Sequence, residues 1–211
     1  VKLMVGHVLR FWPTYGSVHH YLKENGILGE LQMISAQRLG TFPWSKWFAD
    51  QRKSGGVILD LSLHDIDYAI WLMEEPISVK CRARNIRKHG MTVFGRSSTE
   101  ILFQEGKTAK CEASWAEPSG SGLYTRMRIK GMDDLMELDA AKIFNNERWE
   151  ISNIFDSDDG YVNEMKHFVD SILNGRDVAA SASEGKLAVN TCLCALESAK
   201  KDGKEVYLEE L

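Results

Sequence analysis

The chain has 211 residues, of which 44% are hydrophobic and 27% are charged. These proportions match ordinary globular proteins and exclude disordered, collagen-like and low-complexity classes. The 26 basic and 30 acidic residues give a formal net charge of −4. Because there is no basic excess to meet a phosphate backbone, we expect no nucleic-acid partner.

Membrane and export signals are also absent from the sequence. No apolar run approaches the roughly 18 to 20 residues that cross a bilayer, and residues 1–10 lack the pattern of a signal peptide. The four cysteines, Cys81, Cys111, Cys192 and Cys194, are too few for a disulfide scaffold and do not have zinc-ribbon spacing. We therefore expect a cytoplasmic protein with buried free thiols and no membrane partner.

Apolar spacing and turn residues predict the elements in chain order. Asn25-Gly26 ends the first predicted helix, Gly55-Gly56 precedes the second, and Ser181 with Glu184 forms a capping box for the last. The predicted elements are a buried strand over 1–11, a helix over 15–24, a strand over 29–36, an aromatic loop over 40–47, a buried helix over 54–74, strands over 77–86, 98–104, 108–115, 123–131 and 135–140, an amphipathic helix over 159–175, a helix from 181 to 203, and a short strand over 205–208.

This order of elements predicts an α+β fold. Helices would pack on one face of a large, mostly antiparallel sheet. The other face must be covered, and it is available for oligomerisation as a homodimer or homotetramer. Without an internal repeat or a long linker, we expect a single domain over 1–211.

The buried helix over 54–74 carries the strongest candidate for chemistry. Asp60 and His64 are four residues apart, which places a carboxylate and an imidazole on one helix face. A nearby carboxylate favours the charged imidazole whereas burial opposes it, so such a pair can hold a histidine near neutrality for proton transfer. The pair could equally satisfy its own hydrogen bonds in a buried helix, and the spacing leaves both interpretations open.

Other residues are weaker candidates. Glu164 and His167 form a single Glu-x-x-His, which is half of a di-iron motif, and we expect no metal site. The chain has no G-x-G-x-x-G, Walker A or G-x-S-x-G motif, so nothing in it is predicted to hold a nucleotide. Arg10 and Arg38 could contact an anionic ligand or form ion pairs. Trp44 and Trp47 could line a sugar-sized cleft or cover the core.

Several of these features together resemble the C-terminal domain of the glucose-fructose oxidoreductase, inositol dehydrogenase and MocA-like family. The stretch from Ser54 through Asp60 and His64 to Asp67 is the most specific part, and the resemblance extends over essentially the whole chain. The residues that carry it are Arg10-Phe11-x-Pro13, Gly26-x-x-Gly29, Trp44 and Trp47, Ser54-Gly55-Gly56-Val57-Ile58-Leu59-Asp60-Leu61-Ser62-Leu63-His64-Asp65-Ile66-Asp67, Phe168, Ser181-x-x-x-Gly185, the helix Ala188 to Ser198, and Gly203-Lys204.

The resemblance implies an oxidoreductase whose other half is missing. Members of this family bind NAD or NADP in an N-terminal Rossmann domain, where a lysine of a Glu-Lys-Pro motif takes part in hydride transfer. Neither that domain nor a Glu-Lys-Pro occurs here, so the resemblance implies that this chain is a substrate-binding and oligomerisation domain. It would bind no cofactor and would be inactive alone.

The resemblance also implies roles for individual residues. His64 would be the acid/base and Asp60 would orient it, and the strand with Gln37 and Arg38 would face the substrate. Together with Arg10, Trp44 and Trp47, these two residues are the predicted contacts with a sugar or polyol. Gln37 and Leu39 stand where some polyol-oxidising members have His and Asn, which counts against an inositol-type substrate. The alternative function is a non-enzymatic oligomerisation or ligand-sensing module with the same fold.

Overall fold

Eight strands form one sheet in the computed structural model, which describes residues 1–139, 142–144, 151 and 153–210. Across the sheet the order is β7-β6-β5-β1-β4-β3-β2-β8, and β1 with β4 is the parallel pair in an otherwise antiparallel arrangement. The strands are β1 (Leu31–Leu39), β2 (Pro76–Lys88), β3 (Met91–Phe103), β4 (Thr108–Ser114), β5 (Tyr124–Gly131), β6 (Leu135–Asp139), β7 (Lys142–Phe144) and β8 (Val206–Tyr207).

The helices pack against one face of this sheet, which confirms the predicted α+β class. The α-helices are α1 (Pro13–Asn25), α2 (Gln51–Ser54), α3 (Leu63–Met73), α4 (Gly160–Leu173) and α5 (Ala182–Lys200). The chain also has a π-helix (Ile58–Ser62) and 3-10 helices over Val8–Phe11, Lys46–Ala49, Gln104–Gly106 and Leu208–Glu210. The capping box of Ser181 and Glu184 begins α5 as expected, and Gly26 ends α1 in the left-handed conformation. No helix in the described part of the chain is long and apolar enough to span a membrane.

Side chains alternate between the two faces of each strand. On the helix side, Ile34 and Ala36 of β1 and Cys111 of β4 are buried in a core with Ile66 of α3 and Cys192 of α5. The opposite face is polar and carries charges of both signs. Its residues include Gln37, Lys110, Glu112, Arg126, Arg128 and Glu137.

The predicted strand over 1–11 is wrong. Residues 1–7 have no regular secondary structure, and Val8–Phe11 is a 3-10 helix. The backbone N–H of Val5 donates to the carbonyl of Ala180 at 2.9 Å, so this segment runs beside the start of α5. A short apolar run cannot distinguish a strand from a buried helical turn by its spacing.

The helix predicted over 54–74 is interrupted at its start. Gly55 and Gly56 both have left-handed φ angles, of 70° and 69°, and the π-helix separates them from α3. A Cβ on Gly56 would lie 2.8 Å from the carbonyl oxygen of Phe94, so only glycine fits this close approach to β3. The i→i+5 bonding of the π segment widens the turn before His64.

Candidate active site

A cavity of about 390 Å³ lies beside His64, where the start of α3 meets the ends of β1 and β5. Its volume is that of a site for one small ligand, and its wall combines aromatic rings with a few polar groups. The residues that line it are Val8, Leu9, Trp12, Tyr15, Arg38, Leu61, His64, Leu123, Thr125 and Tyr161.

His64 is partly buried in the wall of this cavity. Burial lowers the pKa of its imidazole, and the positive charge of Arg38 lowers that pKa further, while Asp65 opposes the shift. Histidine has an unperturbed pKa of ~6.5, so His64, whose pKa is lowered, is neutral at physiological pH. A neutral imidazole facing a cavity can accept a proton from a bound hydroxyl group.

Asp60 is not in contact with His64. Among the described residues, no hydrogen bond or ion pair joins the two, and Asp60 does not line the cavity. Burial raises the pKa of the Asp60 carboxyl. Because the π-helix spans Asp60, residues four apart do not stack there as they do in an α-helix, and the predicted orientation of His64 by Asp60 is not seen.

Asp65, the residue after His64, holds Arg38 at the cavity wall. The Nε of Arg38 donates to Asp65 Oδ2 at 3.1 Å and its Nη2 donates to Asp65 Oδ1 at 2.7 Å, and both side chains are buried. Tyr15 lies beside this pair: burial raises the pKa of its phenol, while the positive charge of Arg38 and the polar side chain of Thr125 lower that pKa. Arg38, Tyr15 and Thr125 thus place polar groups in the cavity that contains His64.

Arg10 is a buried structural residue and does not line the cavity. Its guanidinium donates to both oxygens of Asp67, at 3.1 and 2.7 Å, to the carbonyl of Ala179 at 2.7 Å and to Glu184 at 2.5 Å. With these contacts and only 2% of its surface exposed, Arg10 ties α3 to the start of α5. The structure gives it no place to contact a substrate in this cavity.

Gln37, Trp44 and Trp47 also lie away from His64. Gln37 neighbours Arg38 on β1 and therefore points to the opposite face of the sheet, where its amide donates to Glu112 at 2.8 Å. Trp44 is 92% exposed, and Trp47 packs edge to face against Phe48 with ring centroids 5.0 Å apart. None of the three lines the cavity.

Several cavity residues were missed from the sequence. Trp12 and Tyr161 meet edge to face with ring centroids 6.0 Å apart, although one precedes α1 and the other is in the first turn of α4. Tyr15 and Thr125 are likewise brought together from distant segments. The aromatic residues around Pro13 could have indicated a ligand site. The direction in which their side chains point depends on the 3-10 helix, which the sequence did not predict.

Glu164 and His167, the residues of the Glu-x-x-His motif, both belong to α4. His167 accepts a hydrogen bond at Nε2 from the backbone N–H of Ala179 at 2.9 Å, and burial raises the pKa of the Glu164 carboxyl. In the part of the chain that the structure describes, no three His, Cys, Asp or Glu side chains are grouped to hold a metal ion.

Comparison with known proteins gives consistent results. The family profile described as the GFO/IDH/MocA C-terminal domain matches residues 20–135. Inositol 2-dehydrogenase of Rhizobium meliloti (strain 1021) is 25% identical over 93% of this chain and 62% of its own length. Myo-inositol 2-dehydrogenase of Thermotoga maritima is 23% identical over the full chain and 66% of its own length. The chain thus spans less than two thirds of these curated relatives.

A solved structure shares the fold. GenD2 from gentamicin A biosynthesis, solved in complex with NAD, superimposes with a TM-score of 0.80 over 96% of this chain and 62% of its own, at 22% identity. Since the family profile covers more than half of the chain, and the fold agrees with it, the chain belongs to the GFO/IDH/MocA family and contains its C-terminal domain.

Proposed function

We propose that this chain is the substrate-binding domain of an NAD(P)-dependent oxidoreductase that acts on the CH–OH group of a sugar, a polyol or a related small molecule. The observation that carries the proposal is the neutral His64 in the wall of an aromatic-lined cavity sized for one small ligand. The curated relatives are named as inositol dehydrogenases, and the similar GenD2 structure holds NAD.

His64 is proposed as the general base. Oxidation of a secondary alcohol removes the hydroxyl proton from oxygen and a hydride from carbon, and a nicotinamide supplies the hydride acceptor. The substrate hydroxyl would donate its proton to the free nitrogen of the His64 ring. Asp60 stays in the proposal as the carboxyl predicted to orient His64, although no hydrogen bond joins the two among the described residues.

Substrate binding is assigned to the other cavity residues. Aromatic rings such as Trp12 and Tyr161 suit the apolar face of a sugar ring, while Tyr15, Thr125 and the Arg38 guanidinium offer hydrogen bonds to its oxygens. These residues replace Arg10, Gln37, Trp44 and Trp47 as the proposed contacts in this cavity.

No sequence motif of this chain is typical of a dinucleotide site. The sequence has no glycine-rich phosphate cradle, and the cavity beside His64 has the volume of a single small ligand. NAD or NADP would therefore be held by a nucleotide-binding domain outside this chain, as the greater length of the curated relatives suggests.

The polar face of the sheet is proposed to form the contact between copies in a homodimer or homotetramer. Pairs of opposite charge lie on it, with Lys110 bonded to Glu112 at 2.8 Å and Arg128 to Glu137 at 2.7 Å, and such a pattern can be self-complementary. Light scattering would measure the assembly.

The four free, buried cysteines support a reducing, cytoplasmic location.

The proposed activity is tested by comparing the longer protein with this chain alone. The protein that includes the nucleotide-binding domain is assayed with a panel of sugars and polyols and with NAD and NADP, by nicotinamide absorbance. The expected result is nucleotide reduction with at least one substrate, and none with this 211-residue chain alone. Failure of the longer protein to bind either nucleotide would refute the proposal.

A further inference from the structure

The polar groups of the cavity beside His64 are gathered on one side of it. Arg38 and Thr125 are direct neighbours in the pairing of β1 with β5, and Tyr15 lies beside them. These three side chains are deeply buried, with 4% to 7% of their surface exposed, and His64 is within electrostatic reach of Arg38. We call this set the polar floor, and it consists of Tyr15, Arg38, His64 and Thr125.

The rest of the cavity lining is apolar. Leu123 and Tyr161 have 57% and 61% of their surface exposed, so they stand at the mouth of the cavity, and Trp12 packs edge to face on Tyr161. A ligand hydroxyl that faced a leucine side chain or an aromatic ring would lose its water without gaining a hydrogen bond, which is unfavourable. We call this set the apolar wall, and it consists of Val8, Leu9, Trp12, Leu61, Leu123 and Tyr161.

The charge in the cavity is already compensated. Of the described residues that line it, Arg38 is the one with a full charge at neutral pH, and its Nε and Nη2 both donate to the Asp65 carboxylate. A carboxylate or phosphate group on a ligand would compete with Asp65 for this guanidinium and would also give up its own water. The cavity therefore disfavours an anionic ligand.

The polar floor has few groups to offer a fully hydroxylated sugar. His64 is taken by the hydroxyl group that reacts, which leaves the hydroxyls of Tyr15 and Thr125 and the remaining donors of Arg38. A hexose carries hydroxyl groups around its whole ring, and those far from His64 would face the apolar wall. A substrate that is polar at one edge and apolar at the other matches this lining better.

We propose that the cavity selects a neutral 6-deoxy sugar, in which a methyl group replaces the hydroxymethyl group of a hexose. This inference rests on the proposed function and names the substrate class of that site. The methyl group packs on the apolar wall, where removing it from water is favourable. The hydroxyl group presented to His64 then lies on the opposite side of the sugar ring, above the polar floor.

Sugars that share one ring configuration test the proposal. 6-Deoxy-D-glucose, D-glucose and D-glucuronate form one set, and the corresponding derivatives of D-galactose and D-mannose form two more. For the protein that carries its nucleotide-binding domain, kcat/KM is measured by nicotinamide absorbance with NAD and with NADP. In each set that is oxidised, we expect the 6-deoxy sugar to exceed its parent by about 10- to 100-fold, as for an apolar pocket that meets an added hydroxyl group. The uronate should be the poorest substrate.

Two matched variants locate the source of this preference. Leu123→Ser changes the apolar wall, whereas Leu135→Ser changes a leucine of β6 that is also exposed, at 44%, and does not line the cavity. The preference for the 6-deoxy sugar should fall about fourfold in Leu123→Ser, a factor that corresponds to ~0.8 kcal/mol for one buried methylene. It should be unchanged in Leu135→Ser. Because the preference is a ratio of two substrates on one sample, partial loss of folded protein does not alter it.

Three results would overturn the substrate class. They are a parent hexose that equals its 6-deoxy form, a uronate that is oxidised as well as either, and a preference that changes equally in Leu123→Ser and Leu135→Ser. Each of them requires that sugars are oxidised, so each leaves the proposed function standing. Failure to bind either nucleotide, or to oxidise any sugar or polyol, would overturn the proposed function and this inference with it.

Discussion

The buried ion pair between Arg38 and Asp65 supports a quantitative prediction. Two hydrogen bonds, of 3.1 and 2.7 Å, join the side chains, of which only 7% and 3% are exposed. Asp65→Asn removes the negative charge while preserving the size of the side chain. It leaves the Arg38 guanidinium buried without a counter-charge, which typically costs about 3 to 5 kcal/mol.

This cost is large relative to the total stability of a domain, which is about 5 to 15 kcal/mol. A domain of this size loses about 2 to 4 °C in Tm per kcal/mol, so Asp65→Asn should lower Tm by roughly 6 to 20 °C. Urea unfolding of the two proteins measures the free energy difference. The double variant Arg38→Met with Asp65→Leu should recover most of it, because neither charge then remains buried.

The matched control is an exposed ion pair. Glu197 and Lys201 on α5 are 3.1 Å apart, and their side chains are 34% and 54% exposed. Glu197→Gln should therefore cost only about 0.3 to 0.5 kcal/mol. The reasoning is refuted if Asp65→Asn costs as little as Glu197→Gln, or if the double variant is no more stable than the single one.

Three further predictions concern pH and the backbone. Burial lowers the pKa of His19 to about 4, so the unfolded state binds more protons than the native state below pH ~6.5. The free energy of unfolding should therefore fall by roughly 2 to 3 kcal/mol as the pH drops from ~6.5 towards 4. Urea unfolding midpoints should show a smaller fall in His19→Gln, and a fall of the same size in that variant would contradict the role of His19. Gly56→Ala should lower the free energy of unfolding by about 1 to 3 kcal/mol, more than Gly26→Ala, because both glycines have positive φ but only at Gly56 does a Cβ meet a backbone carbonyl. Burial lowers the pKa of His64, so kcat/KM for alcohol oxidation should decline on the acid side with an apparent pKa below ~6.5. An acid-side decline that depends on His64 but has an apparent pKa above that value would contradict the assignment.

Local patterns were sufficient to predict most of the fold. The capping box at Ser181 and Glu184 and the turn at Asn25-Gly26 depend on neighbouring residues, and the structure contains both. The 3-10 helix at Val8–Phe11 depends instead on contacts with α4, including the bond from Asn163 to Phe11. The spacing of apolar residues does not reveal contacts between segments that are far apart in the chain.

In the candidate site, too, the sequence predicts what depends on local pattern and misses what depends on distant contacts. The Gly-Gly-x-x-x-Asp-x-x-x-His stretch identifies His64, and the structure puts it in a cavity wall. The sequence identifies Arg38 without its partner, since Asp65 is 27 residues away. The alternation of β1 is enough to separate Gln37 from Arg38, because adjacent residues of a strand face opposite sides of the sheet.

The side of α4 that faces the rest of the domain could not have been predicted from its sequence pattern. Helical spacing of Tyr161, Met165 and Val169 indicates an apolar face but does not say what covers it. Only the buried hydrogen bonds of Asn163 and Ser171 fix which side faces inward.

The central claim is that His64 is the general base of an alcohol oxidation. The most direct test is the steady-state rate of His64→Ala in the protein that carries its nucleotide-binding domain, with folding checked by thermal unfolding and NAD or NADP binding measured alongside. The account predicts a loss of about 10² to 10⁴ in kcat, with unchanged nucleotide affinity. A variant that folds, binds nucleotide and turns over at the parent rate would contradict it.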